Sequence, residues 1–258
     1  MIASKTLQRL RAGEYVRTAV LSRVTEPWLA ELIGKLGYDL VWLDMEHRDF
    51  DYGVVAPLAL ACRATGIDLM VRILKTGYSS PMRVLESGAT GLMIPHCRNG
   101  AEARQWVEWT RFAPLGTRGF DGAGPDADYM LVDPLAYMKH ANEQTFLALQ
   151  IEDRDAVDHV DEIIQTDGVD LLFVGPADLT ISYGVPFQFN HPDVQRAIDR
   201  VAAAAAKAGK WWGIPTGTPE AMKLALDRGA RMITGGVDHV FLVKGFENGI
   251  KQFPEFKV

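Results

Sequence analysis

Apolar residues along the chain fall in short, nearly continuous runs, and most runs begin a residue or two after a glycine. Gly37-Tyr38-Asp39 leads into LVWLDME, Gly66-Ile67-Asp68 into LMVRIL, and Gly88-Ala89-Thr90 into GLMIPHC. Gly168-Val169-Asp170 leads into LLFVGP, Gly209-Lys210 into WWGIPTG, and Gly229-Ala230 into RMITGG. Glycine takes the left-handed conformation that ends a helix, so each phrase reads as a helix stop turning directly into a strand. Runs without polar alternation are the mark of parallel strands covered on both faces. YVRTAVLSRV and FLALQIE bring the candidate strands to eight. Helices are predicted over 27–36, 52–65, 78–87, 101–111, 155–166, 191–208, 219–228 and 239–252. Pro27 and Pro219 sit at first-turn positions, and Asn99, Asn190 and Thr218 are candidate N-caps.

Eight strand–helix alternations predict an α/β fold, a single (β/α)8 barrel of the TIM type spanning 1–258. An open doubly wound sheet is the alternative, but no G-x-G-x-x-G follows the first strand and no P-loop occurs. The Gly-to-strand intervals are uneven, which excludes a solenoid. One stretch, 112–145, breaks the rhythm; it is rich in Gly, Pro and Asp and carries a short helical piece near 132–142. An insertion of this length serves as a lid or a subunit contact.

Composition narrows the function. With 48% hydrophobic and 23% charged residues in 258, the chain has enough core to fold without disulfides or a structural metal. The 27 basic and 33 acidic residues leave a net charge of −6 with no basic cluster, which argues against nucleic acid as a partner. Cys62 and Cys97 have no zinc-type spacing, and the N-terminal stretch lacks the apolar core of a secretory signal. No apolar run is long enough to span a membrane. A cytoplasmic protein acting on small molecules is the expectation.

Barrels of this type carry their active sites at the C-terminal strand ends. Those ends hold Ser22-Arg23, Asp44-Met45-Glu46-His47, Arg72, His96-Cys97, Gln150 with Glu152-Asp153, Gly175-Pro176-Ala177-Asp178, Thr216 and Asp238. Glu152 and Asp178 form a hard, two-carboxylate site suited to Mg²⁺, Mn²⁺ or Co²⁺ with positions left for substrate oxygens. The plainer alternatives are a helix cap for Asp178 and an exposed acidic pair for Glu152-Asp153. Arg72, between Val71 and Ile73, needs an anionic partner in a buried strand. That partner is either Asp44 or a substrate oxyanion. His47 and Asp44 have the spacing of an Asp–His dyad, or His47 is structural.

The segments LVWLDMEH, the VRI of the third strand, APLGTRG, QIED and FVGPADLTISYG together resemble the HpcH/HpaI family of metal-dependent class II pyruvate aldolases. The likeness runs from about residue 13 to the final helix. It implies a carbon–carbon lyase that reversibly splits a 4-hydroxy-2-oxo acid into pyruvate and an aldehyde. In that pattern Glu152 and Asp178 hold the divalent metal, pyruvate chelates it, and Arg72 stabilises the enolate oxygen. His47, oriented by Asp44, is the acid/base through a water on the metal. Gln150 contacts the keto acid, and backbone amides around Gly175, Pro176, Ala177 and Asp178 face the pyruvate carboxylate, Pro176 having no N–H to give. The resemblance also implies a homo-oligomer, a hexamer built as a trimer of dimers, with 239–252 at an interface. Met45, His96-Cys97, Trp211-Trp212 and the acidic loop 121–128 depart from the family pattern. A CoA-ester lyase, or an enolate-transferring decarboxylase or synthase on the same barrel, is the enzymatic alternative. A non-catalytic binding barrel is disfavoured by the intact Glu152, Asp178, Arg72 and His47. A Schiff-base route needs a barrel lysine, and neither Lys75 nor Lys210 is placed for it.

Overall fold

The eight apolar runs pair in chain order into a closed parallel barrel in a computed structural model that describes residues 3–253. The strands are β1 (Val16–Leu21), β2 (Leu40–Asp44), β3 (Asp68–Arg72), β4 (Gly91–Ile94), β5 (Phe146–Ile151), β6 (Leu171–Val174), β7 (Trp211–Pro215) and β8 (Met232–Val237). In the first half of the chain the helices are α1 (Lys5–Arg11), α2 (Pro27–Lys35), α3 (Val55–Ala64), α4 (Ser79–Glu86), α5 (Gly100–Thr110) and α6 (Pro134–Gln144). In the second half they are α7 (Arg154–Asp158), α8 (Val160–Gln165), α9 (Pro176–Ser182), α10 (Pro192–Lys207), α11 (Pro219–Asp227) and α12 (Asp238–Ile250).

Both strand faces are buried, as the unbroken apolar runs require. Val16, Val20, Leu40, Trp42, Met70, Phe146 and Phe173 point inward and fill the barrel. Their neighbours Val41, Leu43, Leu69, Val71, Leu147 and Leu149 point outward and pack under the helices. Asn99 and Thr218 cap α5 and α11 by accepting the Glu102 and Ala221 N–H groups. At α10 the cap is His191, whose ring accepts from the Asp193 N–H, in place of the expected Asn190. The helix predicted over 155–166 is two pieces, α7 and α8, divided at His159.

The 112–145 insertion lies along the flank of the barrel and not over its mouth. The Gly119 N–H donates to Tyr78 Oη at 2.6 Å beside the start of α4, and the Gly124 backbone lies against the Glu86 carbonyl at its end. Arg118 is buried there, donating to Asp126 Oδ2 at 2.9 Å and Tyr137 Oη at 3.0 Å, with its guanidinium over the Phe112 ring. The acidic loop is therefore partly internal, because Asp126 neutralises Arg118.

Helix α1 was not foreseen from the sequence. Its Leu7 and Leu10 close the N-terminal end of the barrel and join the inner core. Two buried carboxylates fasten it. Asp68 accepts from Ser4 Oγ at 2.6 Å and the Thr6 N–H at 2.8 Å. Asp39 accepts from the Arg17 N–H at 3.0 Å and from its guanidinium at 2.8 and 3.0 Å, with Lys5 and Arg9 both at 3.4 Å. Burial alone would raise the Asp39 carboxyl, but Arg17 and Arg9 reverse this and hold it below the usual carboxylate range. A lowered native pKa gives stability that is present above the unfolded value near 3.9 and is lost as pH falls through the native one. Asp39→Asn is expected to lower stability by about 1–2 kcal/mol at pH 7, the half-exposed Arg17 limiting the loss. Urea denaturation should show that difference shrink below about pH 3.9, where the wild-type carboxyl also loses its charge.

Candidate active site

Strand register builds the site. Asp44 and Arg72 end adjacent strands and stand directly opposite each other. Arg72 donates from Nε to Asp44 Oδ1 at 3.0 Å, and its Nη2 lies 2.9 Å from Oδ2, a two-point grip. The guanidinium stacks 5.1 Å from the centre of the Trp42 ring. Its remaining terminal nitrogen, Nη1, lies 3.1 Å from Glu46 Oε2 and 3.5 Å from Gln150 Oε1. Gln150 then donates from Nε2 to Glu152 Oε2 at 2.5 Å, and the His96 N–H donates to Glu152 Oε1 at 2.8 Å. A continuous polar chain thus runs from Asp44 through Arg72 and Gln150 to Glu152.

Electrostatics divide the carboxylates. Burial would raise the Asp44 carboxyl, but the Arg72 hydrogen bonds and charge, with the His47 N–H, hold it below the usual range. Glu152 goes the other way. Burial pushes it up to about 8; the His96 N–H and Arg72 oppose the rise, and the charges of Glu46 and Asp178 add to it. A buried carboxylate that is hydrogen-bonded on both oxygens and crowded by two others calls for a cation. Among the described residues no cluster of three or more His, Cys, Asp or Glu side chains is assembled for a metal. The donor set at Glu152 and Asp178 instead fits a hard divalent ion that leaves places for water and substrate oxygens.

Several expectations are refined. Glu152 is fully buried, so the exposed-pair alternative fails; only Asp153 starts a helix, capping α7 by accepting the Ala156 N–H. Asp178 lies in the first turn of α9, which starts at Pro176 with Gly175 as its cap residue, so Asp178 is not the cap. A carboxylate there is favoured by the helix dipole. The Gly175 N–H is donated to the Ile151 carbonyl at 3.1 Å and is not free for a ligand. Asp44 meets His47 only at its backbone N–H, 3.4 Å away, because Arg72 occupies the carboxylate. The His47 ring projects into the mouth, 55% exposed, with Nε2 3.7 Å from Glu46 Oε2. Asp238 is taken out of the site: it accepts the N–H groups of Ser22, Arg23 and Val24 and ties β8 to the loop after β1.

Two strand-end residues to which sequence reasoning assigned no role join the cluster, Glu46 and His96. Period-two alternation puts Glu46 on the same side as Asp44, a signal that was available. His96 enters through a left-handed backbone, φ 47, that nothing in its type announces.

The chain matches the sequence profile of the HpcH/HpaI aldolase/citrate lyase family over residues 17–244. The chain belongs to that family. A 2-keto-3-deoxy-L-rhamnonate aldolase of Escherichia coli is 31% identical over 251 residues, 97% of this chain and 93% of that protein. The crystal structure of an HpcH/HpaI aldolase from Desulfitobacterium hafniense superposes with a TM-score of 0.92 at 29% identity, covering 97% of each chain. A structure of an HpcH/HpaI aldolase/citrate lyase family protein from Burkholderia cenocepacia gives 0.89 at 34% identity, covering 97% of this chain and all of that one (100%).

In this family member Gly175 has no room for a side chain beside the site. A Cβ there would stand 2.2 Å from Glu152 Oε2 and 2.8 Å from Gln150 Nε2. Both groups are pinned by hydrogen bonds and cannot swing away freely. Gly175→Ala is expected to cost about 1–3 kcal/mol. Chemical denaturation checks this, and an unchanged midpoint would mean that Glu152 is not held as described.

Proposed function

We propose that the protein is a divalent-metal-dependent aldolase that reversibly cleaves a 4-hydroxy-2-oxo acid into pyruvate and an aldehyde. The observation that carries this is Gln150 joining a guanidinium, Arg72, to a buried carboxylate, Glu152, within one strand-end cluster. The aldolase relative named for 2-keto-3-deoxy-L-rhamnonate supports the same reaction class.

Cleavage breaks the C3–C4 bond after the C4 hydroxyl loses its proton, and the electron pair passes to the keto oxygen of the departing pyruvate. Arg72, compensated by Asp44 and Glu46, donates to that oxygen as its charge develops. His47, exposed in the mouth, takes the hydroxyl proton, and a proton returns to C3 to complete pyruvate. Gln150 contacts the keto acid, and the Ala177 and Asp178 amides face its carboxylate. Glu152 and Asp178 would hold Mg²⁺, Mn²⁺ or Co²⁺. When bound, the ion supplies a Lewis acid for the substrate's oxygens. Neither lysine near the barrel offers a Schiff base: Lys75 Nζ donates to the His96 carbonyl, and Lys210 Nζ to the Ile164 and Thr166 carbonyls.

The same reading makes the protein a homo-oligomer, a hexamer of three dimers. Helix α12 supports it: Phe241, Leu242, Val243 and Phe246 stand exposed on it, Phe246 at 75%. Apolar side chains grouped like this mark an interface. Among the described residues no helix is long and apolar enough to cross a membrane. A cytoplasmic location is part of the same proposal.

Dialysis against EDTA should abolish pyruvate release from a 4-hydroxy-2-oxo acid, and Mn²⁺ or Mg²⁺ should restore it. Full activity without metal would overturn the proposal. Arg72→Ala should slow C3 proton exchange of pyruvate in D₂O by on the order of 10²-fold or more, read by NMR. Exchange at the wild-type rate would exclude its role. Phe246→Glu should shift the protein to a smaller assembly in light scattering, and an unchanged mass would remove α12 from the interface.

A further inference from the structure

His96 ends the β4 segment in a left-handed conformation, φ 47, without being glycine. Such backbone costs roughly 1–3 kcal/mol and persists where surrounding contacts impose it. Three contacts do so here. The His96 N–H donates to Glu152 Oε1 at 2.8 Å, and its carbonyl accepts from Lys75 Nζ at 2.9 Å. Lys75 is itself paired with Glu102. The ring then returns to the same carboxylate, with Nδ1 3.3 Å from Glu152 Oε1. Its other nitrogen, Nε2, lies 3.8 Å from Glu46 Oε1, and Glu46 Oε2 lies 3.1 Å from Arg72 Nη1. One residue thus addresses Glu152 with both its backbone and its ring, and links it through Glu46 to the guanidinium. The ring is 42% exposed, so its removal leaves little cavity.

We propose that His96 is a positioning residue: it fixes the Glu152 carboxylate as a metal ligand and sets its distance from the Arg72 side of the site. The proposal rests on the reading of Glu152 as a metal ligand. Carboxylate ligands are oriented by the groups that hydrogen-bond to them, and losing such a partner costs about 10–100-fold in metal affinity or activity. Gln150 already holds Oε2. His96 is the matching hold on Oε1, and the strained backbone is what lets one residue provide both contacts.

The test is calorimetric titration of EDTA-stripped, full-length protein with Mn²⁺, with no substrate present. His96→Gly removes the ring and relieves the backbone strain, so the urea midpoint should stay level or rise. Its Mn²⁺ affinity should nonetheless fall about 10-fold or more. Asparagine accepts the left-handed conformation and brings an amide N–H, so His96→Asn should recover most of the affinity. Should the glycine variant fail to fold, His96→Ala serves the same comparison. Wild-type affinity in the ring-deleted variant would overturn the proposal, as would an asparagine variant no better than the glycine one. Wild-type protein that binds no Mn²⁺ would instead overturn the metal reading beneath it.

Discussion

Four carboxylates, Asp44, Glu46, Glu152 and Asp178, meet one guanidinium at the mouth of the barrel, and this imbalance governs the site. Arg72 satisfies Asp44 with two contacts and Glu46 with a third. Arg72 reaches Glu152 only through Gln150 and opposes its rise too weakly, so burial and the charges of Glu46 and Asp178 push the Glu152 carboxyl up to about 8. Like charges a few ångströms apart in a partly desolvated mouth repel by about 4 kcal/mol at an effective dielectric of 20. The protein meets that cost only in part, through hydrogen bonds to both Glu152 oxygens. A divalent ion held there would supply the remainder, so the charge balance of the site supports the proposed metal dependence alongside the family likeness.

The scaffold keeps this cost away from the part of the molecule that maintains the fold. At the N-terminal end of the barrel the buried carboxylates have partners: Asp39 has Arg17, Lys5 and Arg9, and Asp68, whose carboxyl burial raises, accepts from Ser4 and Thr6 at the start of α1. Between the ends lies an apolar interior from Val16 to Phe173. Parallel register transmits the geometry upward. Leu40 opposite Asp68 at the bottom of β2 and β3 becomes Asp44 opposite Arg72 at the top. The ion pair that orients the guanidinium is thus fixed by the same hydrogen-bond ladder that closes the barrel.

Much of this was legible in the sequence because it depends on local rules. Glycine stops before apolar runs located six strands, two further runs completed the eight, and strand ends pointed to Asp44, Arg72, Gln150, Glu152 and Asp178. What escaped depends on tertiary context. Helix α1 spans only Lys5–Arg11, too short for a periodic signal, and exists because Leu7 and Leu10 plug the barrel. Helix α9 hides in PADLTIS, where Gly-Pro reads as the end of a strand. The D-x-E-H pattern directed attention to an Asp44–His47 dyad. The fold gives the Asp44 carboxylate to Arg72 and sets Glu46 nearest the His47 ring. His96 was placed at its strand end and marked as out of pattern, but its contact with Glu152 depends on a left-handed backbone that its residue type does not announce.

Burial then separates the two halves of the proposed reaction. The groups assigned to the pyruvate half, Arg72, Gln150 and Glu152, are buried and bonded to one another. Such groups reject a ligand that leaves them unpaired, so the keto acid end is recognised stringently. The group assigned to the aldehyde half, His47, is more than half exposed and stands on the loop beyond its strand end. Exposed rim groups discriminate weakly, since water can replace a missing partner. In this reading pyruvate is specified by the barrel that the family shares. The acceptor is specified by the rim that carries His47, while Met45, the other departure in this segment, is buried in the core beneath it.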